Sequence, residues 1–134
     1  DYMELSQKQH SILKSLSIKF TQVEYVNPNE CPIDELNFNL KKEVETSDES
    51  VFCTKLKLTV TSMNDSDFHI IIELCGNFSL ECSNDLLRES IMNKNTVSIL
   101  FPYLRSELTL ITSQPGIEPI VMPPMNINAM FDGQ

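Results

Sequence analysis

The chain has 134 residues and a formal net charge of −9. This length fits one domain with a modest core. The acidic balance argues against a nucleic-acid surface or an anionic-membrane surface, because both need clustered Lys and Arg. No apolar run approaches the roughly 20 residues of a membrane span, and the start lacks a charged-then-apolar signal pattern. We therefore expect a single cytoplasmic domain over residues 1–134.

The cysteine pattern does not favour a metal site. The four cysteines are Cys31, Cys53, Cys75 and Cys82. They form no C-x-x-C pair, and neither His10 nor His69 lies near a cysteine pair in sequence, so a zinc site is not expected. We expect free thiols in a reducing compartment, and no metal or cofactor.

Residues 1–82 predict a short helix followed by a sheet. Leucine and isoleucine at near-helical spacing predict an amphipathic helix over residues 1–15, and period-two alternation predicts antiparallel strands over residues 16–82. The apolar parity changes after Phe20, which indicates a bulge near Thr21 or two short strands. Gly76 interrupts the inward set of the fourth strand and predicts a bulge or a close backbone approach.

Residues 83–134 predict helices and a proline-rich connector. Asn84 and its neighbours can cap a short helix that residues 93–95 end. A second helix has an apolar stripe at separations of three, four and seven, made of Val97, Leu100, Tyr103, Leu104, Leu108 and Ile111. Ile99, Phe101 and Leu110 lie off that stripe. A helix this apolar must be buried on more than one side, so it either packs between subunits or lines an apolar groove.

Two motifs here resemble the SecB protein-export chaperones. Residues 99–105, ILFPYLR, resemble the "ILFPYAR" helix of that family, and residues 122–131, MPPMNINAMF, resemble its "LAPVNFDALF" segment. A weaker match is residues 76–80, GNFSL, with the family's "GIFSI". The resemblance implies an α+β fold, a four-stranded antiparallel sheet with helices packed on one face. It also implies a homotetramer assembled as a dimer of dimers, with the apolar helix between subunits.

The function that the resemblance implies is an ATP-independent holdase, which binds unfolded polypeptides in apolar grooves. Carried over by position, the client-binding candidates are Ile33, Ile99, Phe101, Tyr103, Leu104, Val121, Met122 and Met125. The oligomer-interface candidates are Leu100, Leu108, Ile111 and Ile71. Without the resemblance, the methionines would more simply be core residues.

The sequence also departs from the family pattern. The chain stops at Gln134, before the family's long second helix and zinc-binding tail. Outward positions that are acidic in export members fall here on Gln22, Val26, His69 and Ile71. These departures argue against docking to the translocase ATPase, while client holding stays expected.

Other functions remain open at this stage. One is a dedicated chaperone of a single partner, such as an antitoxin, and another is a non-chaperone oligomeric adaptor. An enzyme is not expected, because Glu73 and Glu81 face outward and no nucleophile–base pairing is supported by spacing.

Overall fold

The computed structural model describes residues 11–30, 32–48 and 50–123. Four antiparallel strands form one sheet in the order β1-β4-β3-β2. The strands are β1 (Ser11–Val26), β2 (Leu36–Thr46), β3 (Val51–Ser62) and β4 (His69–Cys82). After the sheet come α1 (Asp85–Ser90), a π-helical turn (Ile91–Asn95) and α2 (Thr96–Thr112). Residues 113–123, here called the connector, follow α2.

The core lies between α2 and the two central strands. Every second residue of β3 and β4 is buried, as a period of two predicts for a half-covered sheet. From α2, fully buried side chains fill the same layer, namely Val97, Leu100, Leu104 and Leu108. Each such aliphatic side chain stabilises the fold by about 1.5–3 kcal/mol relative to leaving it in water. The predicted α+β fold, with helices on one face of a four-stranded antiparallel sheet, is confirmed. We call that face the helix side and the opposite one the open face.

The chain enters the sheet earlier than its sequence pattern predicts. β1 begins at Ser11, and Ile12 and Leu13 pair in register with Glu81 and Leu80 of β4. The prediction of a helix is therefore wrong for residues 11–15, and residues 1–10 lie outside the described residues. Pairing with β4 satisfies the backbone groups of this segment and overrides its weak helical spacing.

β1 contains two bulges. The one at Thr21 confirms the predicted irregularity, and it keeps Phe20 and Val23 on the helix side. The other lies at Leu16 and was not predicted. Alternation alone groups Leu16 with Ile18, but the bulge separates them and leaves Leu16 56% exposed. The sheet pairing, rather than the alternation, thus fixes which residues share a face.

Gly76 allows α2 to approach the sheet closely. The ladders on both sides of β4 run through Gly76 without a register shift, so no bulge occurs there. A Cβ at this position would lie 2.8 Å from Leu100 Cδ2 and 2.8 Å from Phe78 Cε2. The second alternative that the sequence offered, a close approach, is confirmed.

The helical part is continuous. The side chain of Asn84 accepts a hydrogen bond from the backbone N–H of Leu87 at 2.9 Å, which confirms the predicted cap. Residues 93–95 do not end the helix, contrary to the prediction, because the π-helical turn carries it onward into α2. A π turn holds one more residue than an α turn, so Met92 and Val97 can both face the sheet.

A buried threonine pair fixes where α2 starts over the sheet. The hydroxyl of Thr54 on β3 donates to that of Thr96 at 2.9 Å, and the Thr96 hydroxyl donates to the carbonyl of Met92 at 2.7 Å. Both residues are 0% exposed, so each polar atom is satisfied inside the core.

The cysteines differ from the prediction. Cys53 and Cys75 are joined as a disulfide on the open face, with their Cα atoms 6.7 Å apart. The prediction of free thiols is wrong for this pair. The 22-residue separation carries no sequence signal, but antiparallel pairing of β3 and β4 makes the two residues diagonal neighbours on one face. Cys82 is free, and Cys31 lies outside the described residues.

Candidate functional site

An open groove of about 1050 Å³ lies where the connector passes the end of the sheet at which β1 ends and β2 begins. Its lining comes from the end of β1, the loop between β1 and β2, the start of β2, and connector residues 115–121. The first three segments form one continuous stretch, residues 25–38, and the connector, which is distant from it in sequence, lies against it.

The groove has apolar patches on both walls, set among polar groups of nearly equal extent. Ile33, Leu36 and Phe38 form the wall on the sheet side, and each is partly buried against the core. Ile120 and Val121 form the wall on the connector side. Half-open apolar walls of this kind gain free energy when a ligand removes them from water.

Threonines of α2 hold the connector in place. The hydroxyl of Thr109 donates to the carbonyl of Ile120 at 3.0 Å, and the N–H of Ile120 donates to the hydroxyl of Thr112 at 2.9 Å. The guanidinium of Arg105 donates to the carbonyl of Met122 at 3.4 Å. Both backbone groups of Ile120 are thus bonded to side chains, which substitutes for a neighbouring strand. Sequence reasoning missed these residues, since threonine within a helix is not a specific signal.

As a result, successive side chains of the connector alternate between buried and exposed, as in an extended chain. Ile120 and Met122 are 9% and 1% exposed and face the core, whereas Val121 between them is 66% exposed. The clamp on Ile120 therefore presents Val121 to the groove.

The loop between β1 and β2 is fixed from the opposite side by the turn between β3 and β4. The side-chain amide of Asn29 donates to Asp65 and Asp67 carboxylates, each at 3.0 Å. The side-chain amide of Asn64 donates to the carbonyl of Pro32 at 2.6 Å. This network holds Ile33 in the groove wall.

The polar groups of the groove favour a ligand that donates hydrogen bonds or carries positive charge. Glu30 and Glu118 belong to its lining, which contains no Lys or Arg among the described residues. Asn27 donates to the hydroxyl of Tyr25 at 3.1 Å. The side-chain oxygen of Asn27 is buried and accepts no hydrogen bond from the described residues.

The predicted client-binding residues fall into three groups. Ile33 and Val121 line the groove. Phe101, Leu104 and Met122 are 5%, 0% and 1% exposed, so in a single chain they belong to the core. Met125 lies outside the described residues.

The two remaining candidates lie on another part of α2. Ile99 and Tyr103 are 37% and 48% exposed, and with Leu110 at 66% they form the α2 stripe. This stripe lies about a third of a turn around the helix from Arg105 and Thr109, which face the connector. Leu110 also lines a smaller pocket with Thr109 and Val121, so the stripe adjoins the groove at Val121.

The predicted interface residues are also distributed. Leu100 and Leu108 are 0% exposed in the core of their own chain, while Ile111 is partly buried against that core. Ile71 is partly buried on the open face. Sequence reasoning did not mark Phe20 and Val23, which are 37% and 46% exposed on the helix side of the edge strand β1. The sequence signal that could have found them is the change of apolar parity after Phe20, because a bulge there puts both side chains on the helix side.

No helix among the described residues is both long and apolar enough to cross a membrane. In the same part of the chain, no cluster of three or more His, Cys, Asp or Glu side chains could hold a metal ion.

The family model described as preprotein translocase subunit SecB matches residues 6–134, so the chain belongs to the SecB family. The protein-export protein SecB of Aromatoleum aromaticum is 26% identical over 129 residues, which is 91% of this chain and 81% of that protein. The uncharacterized protein MJ0357 of Methanocaldococcus jannaschii is 32% identical over 102 residues, covering 72% of this chain and 65% of the relative. The resemblance seen in the sequence motifs is confirmed.

A solved structure has the same fold. It is the Rv1957 SecB-like chaperone of Mycobacterium tuberculosis in complex with a ChAD peptide from the Rv1956 HigA1 antitoxin. The TM-score is 0.69 over 92% of each chain, at 11% sequence identity.

Proposed function

We propose that this protein is an ATP-independent holdase chaperone of the cytoplasm, which binds extended apolar stretches of non-native polypeptides in the groove. The observation that carries the proposal is the pair of facing apolar walls, Ile33 with Phe38 on one side and Val121 on the other. Membership in the SecB family supports it.

The size and shape of the groove suit an extended peptide. Its volume of about 1050 Å³ is slightly above the roughly 300–1,000 Å³ that small-molecule pockets occupy. It is partly open to solvent, so a client can enter sideways without threading an end. Apolar burial contributes about 25 cal/mol per Å², so a few shallow contacts give binding that is useful and readily reversed.

Charge refines the kind of client. Glu30 and Glu118 favour segments in which Lys or Arg stands beside apolar residues, and disfavour acidic segments. Clients are therefore selected by composition rather than by one sequence.

We further propose that the chain works as a homo-oligomer, in which the α2 stripe and the exposed helix-side residues of β1 meet partner copies. A tetramer would place several grooves on one particle. Binding of one client at several grooves then raises the overall affinity by avidity, without any new contact.

The test is suppression of aggregation of a chemically unfolded reporter protein, with particle mass followed by light scattering. Val121→Asp puts a charge in the groove wall at a position that is 66% exposed, so the fold is expected to remain intact. We expect it to lose most of its client binding while keeping native mass. Asn39→Asp is the matched control, because it adds the same charge on an exposed open-face position of β2.

The outcomes separate the remaining functions. If Val121→Asp protects the reporter as well as the parent chain does, the groove is not the client site. If the parent oligomer suppresses the aggregation of no unfolded reporter, the holdase proposal fails and the result favours the oligomeric adaptor. A chain that protects one partner only would be a dedicated chaperone, an alternative favoured by the antitoxin peptide bound to the structural neighbour.

A further inference from the structure

The open face carries a cysteine pair that client binding does not use. Cys53 lies on β3 and Cys75 on β4, and both are partly exposed. No described helix covers this face. A small molecule can therefore reach the sulfur atoms without any rearrangement of the core.

The fold does not depend on the bond between the two sulfurs. β3 and β4 pair without a register shift from Val51 to Thr61, and the other faces of both strands are packed into the core. The strands hold the two cysteines side by side whether or not they are joined. The disulfide and the dithiol are thus both compatible with the same structure.

Charged neighbours make the two cysteines unequal. Cys75 has two register partners, Lys19 on β1 and Lys55 on β3, so a cationic residue lies on each side of it. The register partner of Cys53 on β2 is Glu45, and its partner on β4 is the neutral Asn77. Positive charge stabilises a thiolate and negative charge opposes it.

Other charged residues of this face leave that contrast in place. Glu73 lies two positions from Cys75 on β4, but its carboxylate accepts a hydrogen bond from the Thr21 hydroxyl at 2.7 Å and its register partner is Lys57. Glu43 is the register partner of Lys55 on the side away from Cys75. The cationic side of the pair is therefore Cys75.

We propose that Cys53 and Cys75 form a reversible redox site that exchanges with small-molecule disulfides of the glutathione class, with Cys75 as the attacking residue and Cys53 as the resolving residue. The Cys75 thiolate attacks one sulfur of the small disulfide, forming a mixed disulfide and releasing one small thiolate. Cys53 then loses its proton to solvent and attacks Cys75 Sγ, forming the Cys53–Cys75 bond and releasing the second thiolate. Two protein thiols are oxidised and one small disulfide is reduced to two thiols. An excess of the small thiol reverses both steps.

The first test measures thiolate formation by pulsed iodoacetamide alkylation of the reduced chain across pH 6 to 10 (about the range in which thiols titrate), with each cysteine quantified by peptide mass. Cys82 is the internal control. We expect Cys75 in Cys53→Ser to be half-alkylated at a lower pH than both Cys82 and Cys53 in Cys75→Ser. Lys19→Gln with Lys55→Gln should move Cys75 to higher pH, whereas Lys14→Gln, an exposed lysine of the same strand opposite Ser79, should not.

The second test uses the unmodified chain with mixtures of reduced and oxidised glutathione. Intact mass should show the loss of two hydrogens per chain, restored by excess thiol, abolished by Cys53→Ser or Cys75→Ser and kept by Cys82→Ser. The proposal is overturned if Cys75 alkylates like Cys82, or if peptide mass finds that oxidation leaves stable glutathione adducts or chain-to-chain disulfides on Cys53 or Cys75 instead of the bond between them. Neither result affects the groove, because client protection is measured separately.

Discussion

The two faces of the sheet use alternate residues of the same strands. On the helix side of β3 and β4, residues such as Leu56 and Ile72 are 0% exposed. On the open face, their neighbours Lys57 and Glu73 are partly exposed and cross-strand partners. The comparison shows that stability comes from one face, so the other is free to carry charge and cysteine chemistry. It also predicts that matched substitutions on the two faces have very different costs.

The largest expected effect is for Leu100→Ala. Leu100 is fully buried against Gly76 and the sheet, so the change should lower the free energy of unfolding by about 2–5 kcal/mol. Urea unfolding monitored by circular dichroism measures it. Lys57→Ala on the open face should change stability by no more than about 0.5 kcal/mol. Equal costs for the two variants would mean that the helix side is not the stabilising face.

Gly76→Ala tests the closeness of the two layers. The new Cβ would lie 2.8 Å from atoms of Leu100 and Phe78, and overpacking of this kind costs about 1–3 kcal/mol. Asn77→Ala is the control on the same strand, since its side-chain amide donates to the exposed Ser17 hydroxyl at 2.9 Å and lies on the open face, away from α2. A neutral Gly76→Ala would show that α2 has room to shift.

Thr112→Val tests the edge of the helix side, where the core gives way to the groove. It leaves the buried N–H of Ile120 without its acceptor, so we expect a loss of about 1–3 kcal/mol. Client binding should weaken as well, because the connector is released. Ser113→Ala removes an exposed hydroxyl that donates to the backbone carbonyl of Thr109 at 2.7 Å. This control should change neither stability nor client binding. Unaltered client affinity in Thr112→Val would separate the groove from the connector.

The smallest effect is for Lys42→Met, on the helix side of the edge strand β2. Burial, and secondarily the charge of Lys94, lower the pKa of Lys42 below its usual 10.5. The folded chain thus binds this proton more weakly than the unfolded chain, and parent stability rises as pH increases through the lowered pKa toward 10.5. The variant also loses the hydrogen bond from Lys42 Nζ to the carbonyl of Asn93 at 3.3 Å. We therefore expect a small difference in stability at neutral pH, which shifts in favour of the parent chain as pH rises.

Thermal unfolding of Lys42→Met and the parent chain, measured side by side across this pH range, checks that prediction. A pH-independent gap would contradict it. The variant should also aggregate more readily, because a lysine that points inward on an edge strand blocks strand addition by another chain.

The sequence predicted the central strands well and the edges poorly. β3 and β4 alternate cleanly because one face of each is wholly covered, so their patterns alone fixed their faces. β1 is half-covered and interrupted at Leu16 and Thr21, so its pattern mixed two registers. The helix predicted for residues 11–15 was wrong for the same reason. Local spacing was weak, and the decisive contacts were with β4.

The candidate site shows the same division. Motif resemblance identified the family and pointed to Ile33 and Val121, which line the groove. It also pointed to Leu104 and Met122, which the chain buries in its own core. A position in a motif does not state which way a side chain faces, because that depends on how α2 rotates over the sheet. The clamp of Thr109 and Thr112 had no local signal at all.

The sequence by itself determined the fold class and the family, and it limited Gly76 to a bulge or a close approach, since each depends on residue type and local period. The tertiary structure decided the residues that share the groove, the exposed stripe of α2 and the meeting of Cys53 with Cys75. These depend on strand order and register. The pairings that set them join residues far apart in the chain, and their free energy comes from burial across layers rather than from neighbours in sequence.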